Sequence, residues 1–146
     1  LHLLSRRQRQ MCIRDRVTSG FFSGLTSKSP AFVACEPRHP SWFGAEAGAL
    51  LTQHRIARVA ADPAVCPAAS HPGGWTGLRY WRLHGSPVMY RSSYAERVSY
   101  YAEQLLRQAE ADGQIWCIFD NTASSAAISD ARALSEALQK IARSSC

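Results

Sequence analysis

No stretch of this sequence approaches 18 consecutive apolar residues, which excludes a membrane-spanning helix. It has no Cys-x-x-Cys spacing and no zinc-type pattern among its five cysteines. It also lacks Gly-x-Gly-x-x-Gly and the Gly-Lys-Ser or Gly-Lys-Thr of a phosphate loop, so nucleotide folds lose their fingerprint. Gly-x-Ser-x-Gly, His-Glu-x-x-His and a Cys–His pair in a family signature are missing too, which leaves covalent catalysis without specific support. Internal repeats and heptads are not found.

What is present is a chain of 146 residues with 46% hydrophobic and 10% aromatic content, enough for one globular domain. The formal charge of +6 invites a nucleic-acid reading. Its location argues against that reading. Residues 6–16, Arg-Arg-Gln-Arg-Gln-Met-Cys-Ile-Arg-Asp-Arg, can be written by a nucleotide string that resembles a sequencing-library adapter ending in a transposase recognition sequence. Leu1 and His2 fit the flanking primer. Residues 1–16 are therefore expected to be an adapter-derived, non-native segment, and are set aside from fold reasoning. Without their five Arg and one Asp, 17 basic and 11 acidic residues become 12 and 10, a charge of +2. That charge makes no electrostatic case for nucleic acid or an anionic membrane.

Cys35, Cys66, Cys117 and Cys146 remain. Cys35 and Cys117 sit in apolar runs, where a thiol behaves as a small buried hydrophobe. Reduced thiols and a cytoplasmic location are expected.

From residue 17 onward strands and helices alternate. Residues 17–30 read as a loop with a short helical turn around Gly20 and Gly24. Four apolar runs read as buried strands: Ala31–Cys35, Ile56–Ala61, Leu78–Leu83 and Gln114–Phe119. Helical spacing predicts helices over Phe43–His54, Tyr94–Ala111 and Ser129–Arg143, with Ser129 as N-cap of the last. Residues 63–77 form a long Pro-, Ala-, Gly- and Ser-rich loop. Alternation of this kind implies a parallel sheet covered by helices, either a small open sheet or half of an eight-stranded barrel.

Each strand ends in residues expensive to bury. Glu36, Arg38 and His39 follow the first, Asp62 the second, Arg82 and His84 surround the end of the third, and Asp120 and Asn121 follow the fourth. Binding sites of parallel α/β proteins lie outside the carboxyl ends of the strands. The pattern therefore points to one common site.

The same residues carry a family resemblance. Glu36-Pro-Arg-His-Pro-Ser-Trp-Phe43, Ala60-Ala-Asp-Pro63, Tyr80-Trp-Arg-Leu-His-Gly85 with Met89-Tyr90, and Trp116-Cys-Ile-Phe-Asp-Asn-Thr122 together resemble the YecE-like family, the domain of unknown function 72. The resemblance covers roughly residues 21–142 and implies a TIM-type (β/α) barrel without implying a reaction. Ser125 departs from the family's usual glycine and Asp130 from its common asparagine. The family's opening strands, with a glycine- and aromatic-rich start and a glutamate-bearing strand, have no counterpart here. Residues 17–146 are accordingly expected to be the C-terminal half of the barrel, about the last four strands of eight with their covering helices.

Chemically, Glu36, His39, Asp62 and His84 form the candidate catalytic set, as a general acid and base pair or converging on a divalent metal. Arg38 and Arg82 could hold a carboxylate or phosphate. Trp42, Trp81 and Tyr90 could stack on a sugar or base, and Asn121 could donate to an oxyanion. His54 and His71 read as solvated. Two function classes follow. One is an acid–base hydrolase, lyase or isomerase acting on a small polar or anionic substrate. The other is a non-catalytic ligand-binding module, with this polypeptide itself inactive. The exposed inner face and edges of a half-barrel imply edge-paired self-association.

Overall fold

The computed structural model describes residues 16–28, 30–109 and 111–144. In chain order they form helix α1 (residues 16–28), strand β1 (Val33–Cys35), a 3-10 turn Pro40–Phe43, helix α2 (Ala45–Gln53), strands β2 (Ile56–Arg58) and β3 (Ala60–Asp62), a 3-10 turn Pro67–Ser70, the short strand β4 (Gly73–Gly74), strand β5 (Leu78–Leu83), helix α3 (Val98–Ala109), strand β6 (Gln114–Phe119) and helix α4 (Ala126–Ser144).

The strands pair in two groups, β1-β2-β4 and β3-β5-β6. β1 with β2, β3 with β5 and β5 with β6 run parallel, whereas β2 with β4 is antiparallel. Only Val59 separates β2 from β3, and its N–H donates to Cys35 O at 2.9 Å. Residues 56–62 thus act as one extended segment that pairs with β1 through its first half and with β5 through its second. The result is a parallel ribbon in chain order, continued beyond the strands by His84 N–H to Asp62 O and Asp120 N–H to Leu83 O, both 2.8 Å. Among the described residues the sheets do not close into a barrel.

Alternation along the strands separates two faces. Ala60, Trp81, Leu83, Ile115, Cys117 and Phe119 pack under Tyr94, Val98, Tyr101, Ala102 and Leu105 of the α3 region and Leu134 of α4. The apolar residues of α3 recur three and four apart, which gathers them on one stripe. Trp81 meets Tyr101 edge-on, ring centroids 6.0 Å apart. A second, smaller cluster joins Phe22, Leu51 and Ile56, with Val33, Cys35 and Trp42 against it. The opposite sheet face is more open: Phe32 is 47% and Trp116 51% exposed.

The strands Leu78–Leu83 and Gln114–Phe119 fall where the apolar runs place them. The differences lie elsewhere. Residues 17–30, read as a loop with a short helical turn, are mostly helix α1. Phe22 explains it: burying that ring against Leu51 and Ile56 outweighs the cost of about 1 kcal/mol for each of Gly20 and Gly24. The last helix begins at Ala126, so Ser129 lies within its first turn and donates to Ala126 O at 2.8 Å instead of capping it. The loop 63–77 contains a 3-10 turn and β4. Gly113 closes the connection from α3 to β6 at φ +118, where a Cβ would stand 2.9 Å from Thr76 O and Gly77 O. The adapter-like residues 1–15 lie outside the described residues.

Candidate functional site

Three strand ends deliver side chains to the open face. On β1, Val33 and Cys35 turn into the helix-side core, so Glu36 faces the other way. On β5, Trp81 and Leu83 are helix-side, which turns Arg82 and His84 towards Glu36. On β6, Phe119 is helix-side, and Asp120 faces the same way as Arg82. Pro37 then ends β1, since proline cannot donate to a continuing ladder.

These residues form one charged cluster. Glu36 Oε1 lies 2.9 Å from His84 Nε2 and 2.7 Å from Arg38 NH2. Glu36 Oε2 accepts from Arg82 NH1 at 3.0 Å. Arg82 NH2 donates to Asp120 Oδ2 at 2.8 Å, and His84 Nδ1 lies 3.1 Å from the same oxygen. The His84 side chain is fully buried, with a carboxylate at each ring nitrogen. Arg38 NH2 lies 3.4 Å from Nε2 as well. The guanidinium groups of Arg38 and Arg82 remain partly exposed. Burial opposes the Glu36 anion, but hydrogen bonds from His84 and Arg82 and the nearby positive charge outweigh it and hold the carboxyl below its ordinary range.

Asp120 Oδ1 takes no hydrogen bond among the described residues, while Oδ2 is fixed by two donors. A partly exposed carboxylate oriented from behind, with one oxygen not engaged among the described residues, suits a general base. The sequence marks Asp120 as a strand-end residue, but gives the binding role of an oxyanion donor to its neighbour Asn121. The near-continuous apolar run of β6 carries no polar alternation to distinguish them; packing of Phe119 under the helices sets the phase.

The remaining candidates are placed elsewhere. Asp62 lies level with Leu83 at the same sheet edge, but shares the helix-side face of Ala60. There it receives hydrogen bonds from Arg97 NH1 at 2.7 Å and Tyr101 OH at 2.8 Å. His39 is exposed and caps the Pro40–Phe43 turn, with Nδ1 2.8 Å from Ser41 Oγ. Trp42 packs edge-on against Phe22, and Trp81 is buried in the larger core. Tyr90 stands edge-on to His84, centroids 5.8 Å apart. Asn121 is buried and turned towards α4, donating through Nδ2 to Asp130 Oδ2 at 2.6 Å and Ser92 O at 3.0 Å. His54, read as solvated, is half-buried and lies 2.8 Å from Ser19 Oγ on α1. For a divalent metal, no group of three or more His, Cys, Asp or Glu suited to hold one is found among the described residues. The clustered carboxylates meet guanidinium and imidazole N–H groups instead.

The family model described as "Protein of unknown function DUF72" matches residues 9–145, overlapping the last eight residues of the adapter-like run. No curated protein matches. A DUF72 family protein from Thermotoga maritima MSB8 superimposes with a TM-score of 0.67 at 22% identity, covering 83% of this chain and 51% of that one. A DUF72 family protein from Enterococcus faecalis V583 gives 0.64 at 16% identity, covering 81% and 52%. The chain therefore spans about half the length of these solved relatives, and at such identities the likeness shows the fold alone.

Proposed function

The chain belongs to the DUF72 family, a family of unknown function, and we propose that its strand-end cluster is an acid–base site for a small polar or anionic substrate. The observation that carries this reading is the buried His84 between Glu36 and Asp120, flanked by two half-exposed arginines. In it, Arg38 and Arg82 anchor a carboxylate or phosphate, Asp120 takes or returns a proton, and His84 and Arg82 hold Asp120 in place. Hydrolysis, elimination and isomerisation all use such a set. The test begins with binding: inorganic phosphate and small carboxylates are titrated against the chain by calorimetry. Arg38→Ala and Arg82→Ala should each weaken the strongest anion at least tenfold. Equal affinity in both variants defeats the reading.

A second reading, a binding module without turnover, is favoured by one observation: both ring nitrogens of His84 are already engaged by carboxylates. His84→Ala in a full-length homologue separates the two readings. Loss of turnover with retained binding supports the enzyme.

For the fold, we propose that residues 17–146 form four strands of a (β/α) barrel. The strand order, the helix-covered outer face and the half-length match to the solved relatives support this. The inner face with Phe32 and Trp116 then packs on the other half, or on a second copy when the 146-residue chain stands alone. The adapter origin of residues 1–16 is proposed on the sequence match, and reading the DNA around codon 17 tests it.

A further inference from the structure

The loop between β5 and α3, residues 84–94, lies over the charged cluster and is tied down from behind. Asp130, on the first turns of α4, is buried at 2% exposure and meets no Lys or Arg among the described residues. Its carboxylate is instead filled by hydrogen-bond donors of the loop and its neighbour. Ser93 Oγ donates to Oδ1 at 2.6 Å, while Tyr94 N–H at 2.9 Å and Asn121 Nδ2 at 2.6 Å donate to Oδ2. Asn121 Nδ2 also donates to Ser92 O, so two buried side chains grip three successive loop residues. Ser93 Oγ in turn accepts from Ala95 N–H, which fixes the entry to α3.

The grip continues to the residue that faces His84. Tyr90 N–H donates to His84 O, and Tyr90 O accepts from Ala123 N–H at 3.0 Å. Ser124 Oγ donates to Arg91 O. Tyr90 sits at φ +64, a conformation an L side chain rarely adopts unless its surroundings enforce it. The outcome is an aromatic ring, 42% exposed, standing at 89° to the fully buried His84 ring.

We infer that Asp130 and Asn121 are positioning residues that hold the 84–94 loop so that Tyr90 forms one wall of the ligand face against His84. A buried carboxylate with no countercharge is costly unless fully hydrogen-bonded, and here the donors that satisfy it come mainly from this loop. Holding the loop and satisfying the carboxylate are the same event. The inference rests on reading this strand-end face as the ligand face, but its test needs no ligand.

The experiment records ¹H–¹³C spectra of the histidine rings in the 146-residue chain. Tyr90→Leu removes the neighbouring ring and defines the full shift of the His84 resonances. Asp130→Ala is expected to move them in the same direction by at least half as much. The double variant is expected to add nothing beyond Tyr90→Leu, and His39 and His71 should stay in place. The reciprocal swap Asp130→Asn with Asn121→Asp restores a carboxylate–amide pair and should bring His84 back towards its original position. A merely structural Asp130 would lower the melting temperature and leave His84 unmoved, which overturns the inference. So does an additive double variant, or an equal movement of all histidines. Should Asp130→Ala fail to fold, Asp130→Asn alone is compared with the swap: a His84 shift that the swap reverses supports the inference, and no shift overturns it.

Discussion

Glu36 and His84 stand 48 positions apart in the chain and 2.9 Å apart in space, at the ends of two strands that do not pair with each other. The extended segment 56–62 lies between β1 and β5 and sets their separation, and alternation on each strand turns both side chains to one face. His84 is buried beneath this contact and depends on it. His84→Ala would strand Glu36 and Asp120 with one donor fewer and leave a void. With Arg38 and Arg82 still paired to the carboxylates, the substitution should cost about 1–3 kcal/mol of stability, read as a lowered urea midpoint. A cost below about 1 kcal/mol would show that the cluster is solvated.

Acid should weaken the fold through Glu36. Its folded-state pKa is depressed, so its contribution is present above the unfolded-state value and is lost as pH falls through the folded one. Thermal melts between pH 7 and pH 3 should show the melting temperature falling below the ordinary carboxylate range. Glu36→Gln should start lower and show a shallower fall.

Asp62 should separate from the anion site. It is bound on the helix side by Arg97 and Tyr101, so Tyr101→Phe should cost about 1–2 kcal/mol and leave phosphate affinity unchanged. Calorimetry on the same samples checks both. A fall in phosphate affinity would bring Asp62 back into the site.

Cysteine chemistry offers a probe of the core. Burial pushes the Cys117 thiol up to about 12, so at pH 8 almost none of it is the reactive thiolate. Cys117 should resist an aromatic disulfide reagent until denaturant is added, as followed by peptide mass spectrometry. Rapid labelling of Cys117 in the native state would mean that α4 opens readily from β6.

The open face predicts association. Trp116 exposes about half its surface beside Phe32, and such rings are worth roughly 1.5–3 kcal/mol each when covered. Sedimentation equilibrium of the 146-residue chain should give a mass above 16.1 kDa, and Trp116→Glu should shift it towards a single chain. A monodisperse monomer with a sharp melt would make the chain a self-sufficient small α/β domain.

The sequence by itself determined the two longest strands. Leu78–Leu83 and Gln114–Phe119 are apolar runs bounded by turn residues, and local composition suffices to mark them. It also determined that ionisable residues cluster at one edge, because each follows a strand of the same direction. Helix α1 was not legible, because Phe22 earns its place only by packing against Leu51 and Ile56, far along the chain. Nor could the sequence divide the strand-end residues into two groups. Glu36, Arg82, His84 and Asp120 share one face, whereas Asp62 and Asn121 turn towards the helices. A shift of one residue along a strand reverses the direction of a side chain, and that phase is set where each strand seats its apolar partners under α3 and α4. The pairing of Asn121 with Asp130 was decided in the same way, by a helix packing back over a strand end and bringing two buried polar groups within reach.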